Sequence, residues 1–122
     1  MNRESRRTYS AAIVGCAALI IVALGLTGCF QLVNLPPVAR FTATPPSGPA
    51  PLTVAFDASG SSDVDGTILS YLWNFGDTQT GSGVLVSHVY TQTPSQVYTV
   101  VLTVTDNDAA TDTVAKYITV TP

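Results

Sequence analysis

The stretch Ser70-Tyr71-Leu72-Trp73-Asn74-Phe75-Gly76-Asp77 constrains the fold more than any other part of the chain. Large apolar residues alternate with small or polar ones, so Tyr71, Trp73 and Phe75 share one face and Leu72 and Asn74 the other, as in a half-buried strand. Trp73 is the only tryptophan. On the inward face of a strand it is expected to fill the space between two sheets, where an indole buries about 200 Å². The competing role, an exposed platform for stacking a sugar ring, would require it to face solvent.

The segments around this strand repeat its pattern. Val38 to Thr44 alternates with Phe41 inward, and Pro45 to Pro51 is expected to break the ladder and turn the chain. Leu52 to Asp57 places Leu52, Val54 and Phe56 inward. A polar loop, Ser59 to Gly66, leads into Ile68 to Phe75. A turn from Gly76 to Gly83 precedes a strand over Val84 to Tyr90. Gln96 to Thr105 is the longest β run, with Tyr98, Val100, Leu102 and Val104 on one face and mostly threonine on the other. Asp106-Asn107-Asp108 reads as a hairpin turn, and Thr111 to Val120 closes the chain. Six or seven short strands separated by turn residues predict an all-β sandwich, with Trp73, Phe75, Phe56 and Tyr98 in its core.

Charge is unevenly placed. Arg3, Arg6 and Arg7 precede an uncharged apolar run from Ala11 to Leu26, the layout of an export signal. From Cys29 onward seven aspartates face only Arg40 and Lys116, a formal charge of −5. Such a surface repels phosphate backbones and excludes nucleic acid as a partner. Aspartate also favours turns over strand interiors, which suits a sheet protein with acidic loops.

The tetrad Leu26-Thr27-Gly28-Cys29 resembles the bacterial lipoprotein processing motif. The resemblance implies a signal peptide over residues 1–28, cleavage before Cys29, lipidation of that cysteine and a short tether over residues 29–35. Cys16 would leave with the signal, so no internal disulfide is available and stability rests on core packing. Several acyl chains hold firmly where one is marginal, at about 0.8 kcal/mol per buried methylene. The alternative is an uncleaved membrane helix from about Ala11 to Val33, long enough to span a bilayer. Its arginines would stay cytoplasmic, so the domain is expected outside the cytoplasm in either case. Phe30 stands where an aspartate would retain a diderm lipoprotein, which by the same resemblance permits the outer as well as the inner membrane.

Taken together, Pro36-Pro37-Val38-Ala39, Pro51-Leu52-Thr53-Val54, Phe56-Asp57-Ala58-Ser59-Gly60-Ser61-Ser62-Asp63, Asp65-Gly66, the tryptophan strand, His88 with Tyr90, and Tyr98 to Asp106 look like the PKD domain, a family widespread in bacterial and archaeal surface proteins and secreted hydrolases. The resemblance covers about Asn34 to Val120 and implies a domain over residues 36–122. The resemblance implies an immunoglobulin-like sandwich. It has two departures. Thr78 follows Phe-Gly-Asp where the family usually has glycine, which predicts a different turn geometry. Thr91 to Val97 lacks the glycine usual before the tyrosine of the long strand, which predicts a reshaped loop.

Ser61-Ser62-Asp63-Val64-Asp65-Gly66 alternates oxygen side chains before a glycine, as calcium loops do. Leu72 occupies the place of an EF-hand glutamate and a strand follows, so this is no EF-hand. Resemblance to collagenase PKD domains implies a weak calcium site at Asn34, Asp63 and Asp65. The residues alone leave open a solvated loop held by Asx turns. His88, the only histidine, shares strand parity with Val84, Val86 and Tyr90 and is expected to make a structural hydrogen bond. With no second histidine, free thiol or glutamate in the exported part, neither a zinc site nor a nucleophile and base can be assembled.

The PKD resemblance implies, by analogy, a non-enzymatic, lipid-anchored surface module that contacts proteins or polysaccharides of the cell envelope, with its acidic loops and the threonine face of Gln96 to Thr105 as the expected contact surfaces. The alternatives are a carbohydrate-binding module using Tyr71, Tyr90 or Tyr117, and a purely architectural envelope protein.

Overall fold

The computed structural model describes residues 33–92 and 94–122. The expected signal peptide at residues 1–28, lipidated Cys29 and most of the tether lie outside the described residues. The compact unit Leu35–Pro122 carries eight strands and, among the described residues, no helix. They are β1 (Thr42–Thr44), β2 (Ser47–Pro49), β3 (Leu52–Asp57), β4 (Ile68–Asn74), β5 (Thr80–Ser82), β6 (Leu85–Tyr90), β7 (Gln96–Asp106) and β8 (Thr111–Thr121). One sheet runs β1-β3-β6 and the other β2-β8-β7-β4-β5.

The alternation read from the sequence becomes the packing between the sheets. Leu52, Val54 and Phe56 of β3 are buried, as are Tyr98, Val100, Leu102 and Val104 of β7 and Ile118 and Val120 of β8. Trp73 is 1% exposed and meets Phe41 edge-on at 5.0 Å and Phe56 at 5.4 Å. Its indole N–H donates to the Gly83 carbonyl at 2.8 Å, so the one polar group of the ring is satisfied inside the core. Phe75 is 2% exposed and packs on Phe56. Tyr90 is buried against Tyr98 and donates its hydroxyl hydrogen to the Phe75 carbonyl at 2.9 Å.

Three local expectations are corrected. The first strand shrinks to Thr42–Thr44; upstream, Val38 bridges Ser62, and the Ala39 N–H donates to the Asp112 carboxylate instead of a ladder. Ala39 and Phe41 are still buried. Within the proline-rich stretch read as a turn, Ser47–Pro49 forms β2 and pairs in parallel with Thr119–Thr121 of β8. Proline is admissible there because β2 is an edge strand, where one flank needs no ladder partner. Within the turn expected from Gly76 to Gly83, Thr80–Ser82 forms β5 against Leu72–Asn74. At Gly81 a Cβ would come within 2.9 Å of the Phe75 ring, so the glycine lets β5 close over the core.

The Asp106 turn forms as expected, and its first residue organises it. Asp106 is buried, and its Oδ1 accepts the N–H groups of Asp108 and Ala110, each at 2.8 Å.

Candidate functional site

Three places on the unit bear the residue types singled out by the sequence. The first is the loop before β4. Asp63 Oδ1 accepts the Asp65 N–H at 3.2 Å, and Asp65 Oδ2 accepts the Leu35 N–H at 2.8 Å, so the loop holds the start of the unit. Asn107 Oδ1 accepts the Thr67 N–H at 2.8 Å from the neighbouring turn. Asp63 Oδ2 is shielded from solvent and has no hydrogen-bond partner among the described residues. Burial, and then the neighbouring Asp65 and Asp106, push the Asp63 carboxyl above its usual range.

An orphaned carboxylate oxygen among like charges suits a hard cation. Gly66 keeps the space beside it open, since a Cβ there would lie 3.0 Å from Asp63 Oδ2 and closer still to Asn107 Oδ1. The donors in the loop are few. Among the described residues no three His, Cys, Asp or Glu side chains gather as a metal cluster. Asn34, half-buried, precedes the unit that contains the loop.

The second place is the turn after β4. His88 Nε2 and Asp77 Oδ2 lie 2.6 Å apart, with only 9% of each side chain exposed. The imidazole stacks on Phe75 at 4.1 Å and meets Tyr90 edge-on at 4.7 Å. His88 thus clasps the turn to β6, the structural hydrogen bond its strand parity predicted. Thr78, in the same turn, has φ +75°, the left-handed conformation that glycine adopts readily and a β-branched residue does not. Threonine thus occupies a glycine-type conformation under strain.

The third place is the outer face of the five-stranded sheet, which sequence reasoning located only in part. Thr99 of β7 faces Tyr117 of β8. The next rungs run Ala115, Val101, Asn74, Thr80 and then Thr113, Thr103, Leu72, Ser82 across four strands. No outward position of this sheet carries a charge, although the chain has eight acids. Leu72 is 53% and Tyr117 69% exposed. A shallow depression of about 290 Å³ lies between Leu72, Asn74, Thr80, Val101 and Thr103. The long threonine period of β7 was readable in the sequence. Its continuation through β4 and β5 depends on strand order and was not.

Burial separates the stacking candidates: Tyr90, at 1% exposure, offers no ring face to a ligand, and Tyr71 is half-buried against the core. Tyr117 is the one exposed aromatic side chain among the described residues.

The model of the PKD domain matches residues 34–121, most of the chain. The chain belongs to the PKD domain family. It is 42% identical over 80 residues to the pre-pro-metalloprotease PrtV of Vibrio cholerae and 40% identical over 67 residues to the collagenase ColA of Clostridium perfringens. Those stretches are 66% and 55% of this chain but 8% and 6% of the relatives, so the chain spans under a tenth of the length of the curated relatives it matches. Among solved structures, the PKD1 domain of V. cholerae PrtV is similar with a TM-score of 0.59 and 38% identity, covering 72% of this chain and all of that one. A second structure, described as the basis for the promiscuous specificity of carbohydrate-binding modules of the β-sandwich superfamily, gives a TM-score of 0.69 at 37% identity. That likeness covers 74% of this PKD chain and 36% of the other.

Proposed function

We propose that this PKD domain is a non-enzymatic binding module of the cell envelope. The observation that carries the reading is the uncharged outer face of the five-stranded sheet, on which threonine hydroxyls surround Leu72, Val101 and Tyr117. Hydroxyls with scattered apolar groups can hydrogen-bond and desolvate an extended partner without burying a charge. Relatives named as a metalloprotease and collagenases support a role beside extracellular macromolecules. In this reading export and lipidation at Cys29 hold the module at the membrane, outside the cytoplasm.

A second reading, carbohydrate binding, is favoured by the exposed ring of Tyr117 and by the likeness to a structure concerned with carbohydrate-binding modules. One exposed ring offers a single stacking position, so hydroxyl contacts across the sheet would supply the rest.

Calcium would be held by Asp63 and Asp65, with Asn34 as the collagenase resemblance implies. Bound there, calcium would supply charge neutralisation, drawing the two carboxylates and the start of the unit into one rigid loop. The experiment is retention of native envelope components on immobilised Asn34 to Pro122, with calcium and with chelator. Specific retention of a protein or polysaccharide supports the reading, and an empty result in both arms favours a purely architectural role.

A further inference from the structure

The edge of the three-stranded sheet is a surface that the outer-face reading does not use. Strand β6 pairs with β3 on one side only. The Ala58 N–H donates to the Val84 carbonyl at 2.8 Å, which makes Ala58 and Val84 a hydrogen-bonded pair. Hydrogen-bonded pairs alternate along an antiparallel ladder. With Phe56 opposite Val86, Val54 opposite His88 and Leu52 opposite Tyr90, those residues of β6 direct their amide groups to β3. Leu85, Ser87 and Val89 therefore direct N–H and C=O away from the sheet, to an edge that no strand covers among the described residues.

The other three edges carry the usual protections. Strands β1, β2 and β5 are three residues each, β2 contains Pro49, and β5 contains Gly81. Strand β6 has six residues with no proline, glycine, lysine, arginine or acid. Its outward side chains are apolar at both ends, with Leu85 71% and Val89 45% exposed. A strand of this kind is a template for another strand.

We infer that the occupant is a second copy of this chain, paired antiparallel through β6 about a two-fold axis at Ser87. In that register Ser87 faces Ser87, and Leu85 faces Val89 of the second copy. Each of these rungs exchanges both of its hydrogen bonds, because these are the residues whose amide groups face the edge. Every facing pair is uncharged, so the seam brings no aspartate of one copy against an aspartate of the other at a rung. The strand is its own complement, as a two-fold interface requires. The product is a continuous sheet in the order β1-β3-β6-β6-β3-β1, leaving the outer face of the five-stranded sheet free on both copies.

Leu35–Pro122 contains all eight strands and the whole described core, and it has no cysteine, so this segment serves for the test. Sedimentation from micromolar to millimolar concentration is expected to show a reversible monomer–dimer equilibrium. Val89→Lys, and separately Leu85→Lys at the other end of the seam, should weaken association by about tenfold or more with unchanged circular dichroism. Ser87→Cys should cross-link readily under mild oxidation, since hydrogen-bonded antiparallel pairs stand about 5.5 Å apart at Cα, within disulfide reach. Thr99→Cys, on the opposite sheet, should not. A parent that stays monomeric throughout overturns the inference. So does a dimer that survives both lysine variants, or a Ser87→Cys variant that cross-links no faster than Thr99→Cys.

Discussion

At the scale of single residues, the chain carries two local conflicts that its surroundings tolerate. Thr78 sits at φ +75° although its side chain is exposed and makes no packing that would demand threonine. Releasing a left-handed β-branched residue gains about 1–2 kcal/mol, while the added freedom of glycine in the unfolded chain returns about 0.4–1 kcal/mol. Thr78→Gly should therefore stabilise the domain by roughly 0.5–1 kcal/mol in urea unfolding. The second conflict is Asp63, whose carboxyl is raised by burial and by Asp65. A raised carboxylate pKa means that the folded state takes up protons more readily than the unfolded one, so this group costs stability as pH rises through and above the carboxylate range. Asp63→Asn should accordingly raise the melting temperature at neutral pH in chelator, and the gain should vanish as pH falls below the ordinary value of 3.8. The same variant should lose any stabilisation by calcium. An Asn variant that melts below the parent in chelator, or responds to calcium as the parent does, would contradict this account of the loop.

At the scale of elements, strands β3, β4, β6, β7 and β8 were legible because each buries one face, and a half-buried strand writes a period of two into its sequence. Strands β2 and β5 were not, since Ser47-Gly48-Pro49 and Thr80-Gly81-Ser82 bury almost nothing of their own and exist by pairing with β8 and β4. Turn composition hid them. The acidic loop was legible in its residues, Asp63 and Asp65, but its hydrogen bond to Leu35 joins positions thirty apart and leaves no local signature. Tyr90 shows the limit of residue type as evidence: aromatic and amphipathic, it reads as a stacking ring, yet its hydroxyl closes a bond to Phe75 inside the core. The tryptophan strand ties both sheets, because Trp73 touches Phe41 and Phe56 across the gap. Trp73→Ala should cost about 3–5 kcal/mol through the cavity it leaves, and a variant with the parent's urea midpoint would show that the indole is not the packing centre.

At the scale of the whole molecule, the proposed function rests on where the sandwich is held and which face it offers. The proposed lipidation of Cys29 predicts that Cys29→Ser shifts the protein from the membrane fraction to the soluble exported one. Retention in the membrane at full precursor length would point instead to the uncleaved helix. The face itself is a matter of topology: the order β8-β7-β4-β5 sets the threonines of the long hairpin beside Leu72 and Asn74, so that an acidic protein presents one broad uncharged surface. Val101 lies at the centre of that surface between Ala115 and Asn74, the position at which a charge would disturb contact most. The decisive measurement is retention of native envelope protein and polysaccharide on immobilised Asn34 to Pro122, comparing the parent with Val101→Lys after both are shown to fold alike. The outer-face account predicts a specific partner on the parent and its loss on the lysine variant. Equal retention by both would contradict it and move the contact to another part of the domain.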